Sequence, residues 1–173
     1  MPSPVGHAVA GIASAWLVAG VPERRRAIKE SVLFGGLAMA PDLDLLFGVH
    51  SGPTHSLGAT ALVAAAALLV HRRLRGAPIE LRPAVFVLAC AVAYGSHVLL
   101  DWLATDSKLP IGIMALWPIN RQHYESDWHL FMAISRRYYQ GWTFIRHNVL
   151  ALGWEMILLL PALLLVMRFR RRV

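Results

Sequence analysis

Gly95-Ser96-His97-Val98-Leu99-Leu100-Asp101-Trp102 is an apolar stretch that carries one imidazole and one carboxylate. The run before it is almost wholly apolar, and residues 83–103 together are long enough to cross a bilayer as a helix with little tilt. On such a helix, residues four apart lie one above the other, so His97 and Asp101 reach the same point. An ionisable pair closing an apolar run is costly unless it is paired, coordinated or hydrated. The spacing therefore suits metal ligands or an acid/base pair. Taken alone, it suits equally a His-Asp hydrogen bond that only holds the helix in place.

The rest of the chain extends this membrane reading. It has 173 residues, the size of one domain, and 57% of them are apolar, with a mean hydropathy of +0.51. Further apolar runs occupy residues 8–21, 31–40, 45–49, 57–70 and 149–167. The expected architecture is all-α: a single polytopic membrane domain over 1–173, with about four to five hydrophobic helices. An interfacial amphipathic segment is expected at residues 105–147, where Trp, Tyr and Phe alternate with Arg121, Arg136, Arg137 and Arg146. The run at 31–40 is too short to span and reads as a half-helix or a buried helix. The lone cysteine, Cys90, excludes an internal disulfide and a Cys-x-x-Cys metal site.

A formal charge of +7 could point to nucleic acid, but the basic residues stand in short blocks beside apolar runs, as topology signals do. No nucleic-acid partner is expected; the bilayer is. The first basic residues, Arg24 to Arg26, follow the first apolar run instead of preceding it, the reverse of a cleavable signal peptide. If five passes alternate, twelve of the seventeen Lys and Arg residues share one side, which the positive-inside rule makes cytoplasmic. His7, Asp42, Asp44, His50, His55, His97, Asp101, His123, Asp127 and His129 then gather at the opposite face. The expected location is a multi-pass protein of the inner (plasma) membrane.

Each of these residues has an ordinary reading of its own. His7 opens a helix, Pro41-Asp42 breaks one, and Thr54 or Ser56 caps the next, with His55 in its first turn. Together they form two or three imidazoles with one or two carboxylates. That mixture suits a zinc-like hydrolytic site, or manganese or iron bound by mixed nitrogen and oxygen donors.

These motifs resemble the inner-membrane-associated metal-dependent hydrolases, also described as LexA-binding, whose fold is grouped with zinc-dependent phospholipase C and the P1-type nucleases. The resemblance rests on Gly6-His7, Pro41-Asp42-Leu43-Asp44, the stretch from His50 to Thr54-His55-Ser56, Ser96-His97-Val98-Leu99-Leu100-Asp101 and Leu116-Trp117-Pro118, all in the family's order. It implies that His7, Asp42, His55, His97 and Asp101 ligate metal, with Asp44 and His50 close by. Ser51 stands where the family usually has Arg, and no second His-x-x-x-Glu pair completes a three-metal cluster. One or two divalent ions, zinc first, are expected; His123, Asp127, His129 and Glu155 are further candidates.

The expected activity is hydrolysis of a phosphate ester or phospholipid-like substrate at the outer face. Asp42 or Asp44 would act as general base, with His50 beside them. Arg136, Arg137 and Trp117 are candidates for holding the phosphate-bearing headgroup, although arginines at an interface also simply snorkel. The rival expectation is a non-catalytic membrane partner or regulatory protein in which the metal, or the His-Asp pair, is structural.

Overall fold

Ser3 and Pro4 start the first helix. The Ser3 hydroxyl accepts from the Gly6 N–H at 3.0 Å, and Pro4 occupies the first turn, where its missing N–H costs nothing. In a computed structural model of the chain, which describes residues 1–48, 51–73, 81–106 and 109–171, this helix (α1) runs Pro4–Ala19 and ends at Gly20. Helix α2 follows as Arg24–Met39 and passes directly into a 3-10 segment, Ala40–Phe47, which contains Pro41 and closes at Gly48 with φ 71°. That left-handed backbone is one that glycine adopts without strain. Helix α3 is Leu57–Arg73, α4 is Pro83–Trp102 and α5 is Trp142–Phe169. Among the described residues there is no strand, only isolated bridges.

Helices α1 and α4 form the central pair. Helix α2 packs on both, α3 packs on α4, and α5 packs on α1. Small residues set these distances: a Cβ on Gly11 of α1 would collide with Ala38 and the Phe34 carbonyl of α2. The core between them holds Ala15, Trp16, Phe34, Ala89, Cys90 and Ala93. Helix α5 runs beside α1 in the same direction, since Val21 N–H donates to the Arg170 carbonyl at 2.7 Å where both helices end.

Five helices form, as the apolar runs lead one to expect, but not all are membrane-crossing by length. Among the described residues only α4 and α5 are long and apolar enough, while α1 is apolar with 16 residues and α2 carries Arg24, Arg25, Arg26 and Lys29. The count of four to five spanning helices is thus reduced to two candidates. The short run at 31–40 is explained by α2 starting seven residues earlier, on arginines that are good helix formers. Residues 105–137 form no amphipathic helix: where described, they are extended and turning chain, pinned by the bridges Ala104 to Phe131 and Ile113 to Tyr124. This chain lies over one end of the bundle, with Leu57 N–H donating to the Ala115 carbonyl and Met114 N–H to that of Ser51.

Candidate metal centre

Four separate segments deliver side chains to that covered end. The first turns of α1 supply His7, the 3-10 segment after α2 supplies Asp42 and Asp44, the approach to α3 supplies His55, and the last turns of α4 supply His97 and Asp101. Each placement has a local cause. Ser56 caps α3, its hydroxyl accepting from Ala59 N–H at 2.9 Å, and this fixes His55 just outside the helix. Tyr94 of α4 donates its hydroxyl to the Thr54 carbonyl at 2.7 Å and ties the same loop to the central pair.

His7, His55 and His97 are fully buried and Asp101 is 3% exposed. Oδ1 of Asp101 lies 3.4 Å from Nε2 of His7, while its Oδ2 lies 3.1 Å from Nε2 of His97 and 3.4 Å from Nε2 of His55. Oδ1 of Asp42 stands 3.8 Å from Nε2 of His55 and 4.0 Å from that of His97. Despite these approaches, both Asp101 oxygens, both His7 nitrogens and Nε2 of His55 and His97 have no hydrogen-bond partner. Unpaired buried polar atoms are rare and costly, and five of them around one point, with Nδ1 of His7 behind, need a cause. A cation supplies one. Two donors each about 2.1 Å from a tetrahedral ion stand roughly 3.4 Å apart, which is the spacing found here.

The outer nitrogens reinforce that fit. Nδ1 of His97 donates to the Ala38 carbonyl at 2.7 Å, which leaves the Nε2 lone pair aimed inward. Nδ1 of His55 is 3.1 Å from the Thr54 hydroxyl, which donates to Asp44 at 2.9 Å, and 3.2 Å from that carboxylate itself. The His7 and His97 rings stack with centroids 3.7 Å apart. Donor atoms form two overlapping groups, His7 with His97 and Asp101, and Asp42 with His55 and His97, each with its atoms within 4.8 Å of one another. With one nitrogen committed to Ala38, His97 has a single lone pair to give.

In the loop, burial opposes charge on His55, but Asp42, Asp44 and Asp101 outweigh it and hold the imidazole up at about 9. Burial likewise opposes charge on Asp42 and Asp44, yet His55 keeps both carboxyls below their usual range. A proton on His55 thus stands in for positive charge that the carboxylates demand.

The family of YdjM inner membrane proteins matches residues 1–173, the whole chain. The chain belongs to this YdjM family. No curated protein and no solved structure matches it. Inner-membrane residence accounts for the apolar exterior of α5, where Ile157, Leu164, Leu165 and Phe169 face outward.

Other candidate residues of this YdjM family chain fall elsewhere. His50 lies outside the described residues. Glu155 is fully buried but faces Ser3, whose N–H donates to Oε1 at 2.8 Å and whose hydroxyl donates to Oε2. His129 approaches Glu125 at 3.7 Å, and neither it, His123 nor Asp127 joins a ligand group among the described residues. Arg136 and Arg137, with Asp42, line a cavity of about 1290 Å³; Trp117 is not among its lining residues and lays its carbonyl over Gly58 instead. Sequence reasoning passed over the Ala38 carbonyl and the Thr54 link to Asp44. A backbone acceptor leaves no mark in a sequence, whereas Thr54 beside His55 gave a signal that was read for Thr54 itself only as a helix cap.

Proposed function

We propose that the chain is a membrane-bound, divalent-metal-dependent hydrolase of phosphate esters. One observation carries this reading: buried donors without partners converge from four segments, and one of the ligand carboxylates, Asp42, also lines a large cavity. His7, Asp42, His55, His97 and Asp101 would hold one or two ions. Their nitrogen-rich set favours zinc, and manganese or iron suits the same mixture. When bound, such an ion supplies Lewis acidity for a phosphoryl oxygen and a more acidic water.

The protein's own groups do the rest. Ala38 fixes the tautomer of His97, while Thr54 and Asp44 fix that of His55. Asp44 is thereby a positioning residue, and Asp42, facing the cavity, is the better placed general base. In the reaction, a water oxygen bonds to phosphorus, the ester P–O bond breaks, and the proton lost by water passes through Asp42 to the leaving alcohol. An outward-facing cluster in a multi-pass chain is supported by the helix ends: Arg24 to Arg26, Arg72, Arg73, Arg82, Arg168, Arg170 and Arg171 stand at the ends remote from the His/Asp cluster, the distribution that the positive-inside rule associates with that orientation.

The test is elemental analysis of detergent-purified protein, with hydrolysis of bis(p-nitrophenyl) phosphate measured on the same samples. Stoichiometric zinc or manganese with turnover, both lost in His97→Ala and Asp101→Ala variants that still elute as folded species, supports the reading. A wild type that takes up no metal from zinc or manganese solutions sinks it. Retained metal without turnover leaves the structural metal of a non-catalytic membrane partner protein.

A further inference from the structure

The cavity beside the centre reaches from the end of α2 and the 3-10 segment to the head of α5. Among the described residues α2 and α5 do not pack on each other, and both pack on α1. One wall is Gly36 and Met39 of α2 with Leu43 and Leu46 of the 3-10 segment; the other is Arg136 and Arg137 with the head of α5. The two walls differ in chemistry. The arginines have no ion pair among the described residues, and their place is fixed because Asn148 of α5 brackets Ser135, accepting from its N–H at 2.8 Å and donating to its carbonyl at 3.0 Å.

The apolar wall continues down α2 as a stripe. Ile28, Val32 and Gly36 follow at intervals of four, so they share one face, with Ile28 and Val32 more than 70% exposed. No atom lies within 4 Å of the point where a Gly36 Cβ would stand, which leaves a notch where the stripe meets the cavity. An anion site joined to an apolar track has the polarity of an amphiphile.

Resting on the hydrolytic reading of the centre, we infer that its substrate is a bilayer-resident phosphate ester that enters sideways between α2 and α5, its phosphate at Arg136 and Arg137 beside Asp42 and its hydrocarbon chain along Ile28, Val32 and the Gly36 notch. A soluble phosphate ester has the same headgroup chemistry but has no use for the stripe. Guanidinium forks suit phosphate oxygens, while packing along the stripe depends on chain length, so the chain's contribution is separable from the headgroup's.

The experiment measures binding by native mass spectrometry in detergent, for dioleoyl phosphatidic acid, dihexanoyl phosphatidic acid and dioleoylglycerol. The wild type should hold the long-chain phosphate at least about tenfold tighter than either comparison. Gly36→Phe, whose Cβ meets no atom of another segment within 4 Å, should abolish the long-chain preference while leaving dihexanoyl phosphatidic acid bound. Arg136→Ala/Arg137→Ala should instead abolish the preference over dioleoylglycerol. Equal binding of the long and short phosphates, or indifference to Gly36→Phe, overturns the proposal in favour of a soluble ester. Turnover of bis(p-nitrophenyl) phosphate, followed in parallel on metal-loaded protein, separates the two readings. Lipid binding intact with no turnover of any ester removes the hydrolytic reading and leaves the lipid site supported, whereas turnover without chain preference removes the lipid site alone.

Discussion

Two buried carboxylates in this molecule are treated in opposite ways. Glu155, midway along α5, is fully buried and receives both the N–H and the hydroxyl of Ser3. Asp101, near the end of α4, is equally buried and receives no hydrogen bond, although three imidazole nitrogens stand 3.1 to 3.4 Å away. The first carboxylate is satisfied by the protein and serves packing. The second is surrounded by imidazole nitrogens without hydrogen-bond partners, a setting that a proton or a cation at their common point would relieve. The contrast separates a structural acid from a candidate ligand acid within one chain, and it rests on partners, since both are buried.

The largest expected effect comes from removing the ligand acid's charge while keeping its shape. Asp101→Asn should weaken metal retention by about a thousandfold or more, because an inner ligand costs more than the 10–100-fold typical of its outer partners. Chelation should then lower the melting temperature of the wild type and leave that of Asp101→Asn unchanged. If chelator shifts both melts equally, the two carboxylates are not different in kind.

The opposite substitution probes the other side. Glu155→Ala strands the Ser3 N–H and leaves a void between α1 and α5, a loss of about 2–4 kcal/mol in the detergent-solubilised protein. Metal content per folded molecule should stay at the wild-type value. A folded Glu155→Ala protein that has lost its metal would place Glu155 with the centre and erase the distinction.

How far the sequence foretold this division differs between the two acids. Helical spacing joined His97 to Asp101, and alternating passes carried His7, Asp42 and His55 to the same face among ten candidates, but only the family resemblance singled out these five as a ligand set. Asp44 was legible as a neighbour but not as the group behind His55, since the Thr54 link depends on how the loop folds back on the 3-10 segment. Glu155 stood out only as an acid within an apolar run and was open to reading as a spare ligand. Its contact with Ser3 joins residues 152 apart, and no local pattern encodes such a distance. The segment at 105–147 was legible as a candidate interfacial segment but not in its form, since alternating aromatic and basic residues give the same signal in an extended chain pinned by backbone bonds as in a helix. In α2 the error ran the other way, as arginines that look like a loop in a hydropathy reading extend the helix by two turns.

The comparison sharpens one shell further out. Asp44→Asn keeps the size of the group that, with Thr54, meets Nδ1 of His55, but removes its charge. Metal affinity should fall by about 10–100-fold, with the metal still binding at the wild-type stoichiometry when supplied in excess. Titration with a competing chelator checks this. A fall as deep as that of Asp101→Asn would make Asp44 an inner ligand instead.

Ser3→Ala should have the smallest effect, and it tests whether the structural acid and the centre are independent. The Ser3 hydroxyl both caps α1, accepting from Gly6 N–H, and donates to Glu155. Its loss removes a cap worth about 1 kcal/mol. The Ser3 N–H still reaches Glu155, and the Ser3 carbonyl still accepts from His7 N–H at 3.0 Å, so the helix turn that carries His7 keeps its backbone hold. Metal content and chelator titration should therefore match the wild type. Because Ser3 and Glu155 touch, the double variant Ser3→Ala/Glu155→Ala should lose less than the sum of the single losses, by about 0.5 kcal/mol or more. Strict additivity would mean that the two groups do not act together, and a shift in metal affinity with Ser3→Ala alone would mean that the α1 cap tunes the centre through His7.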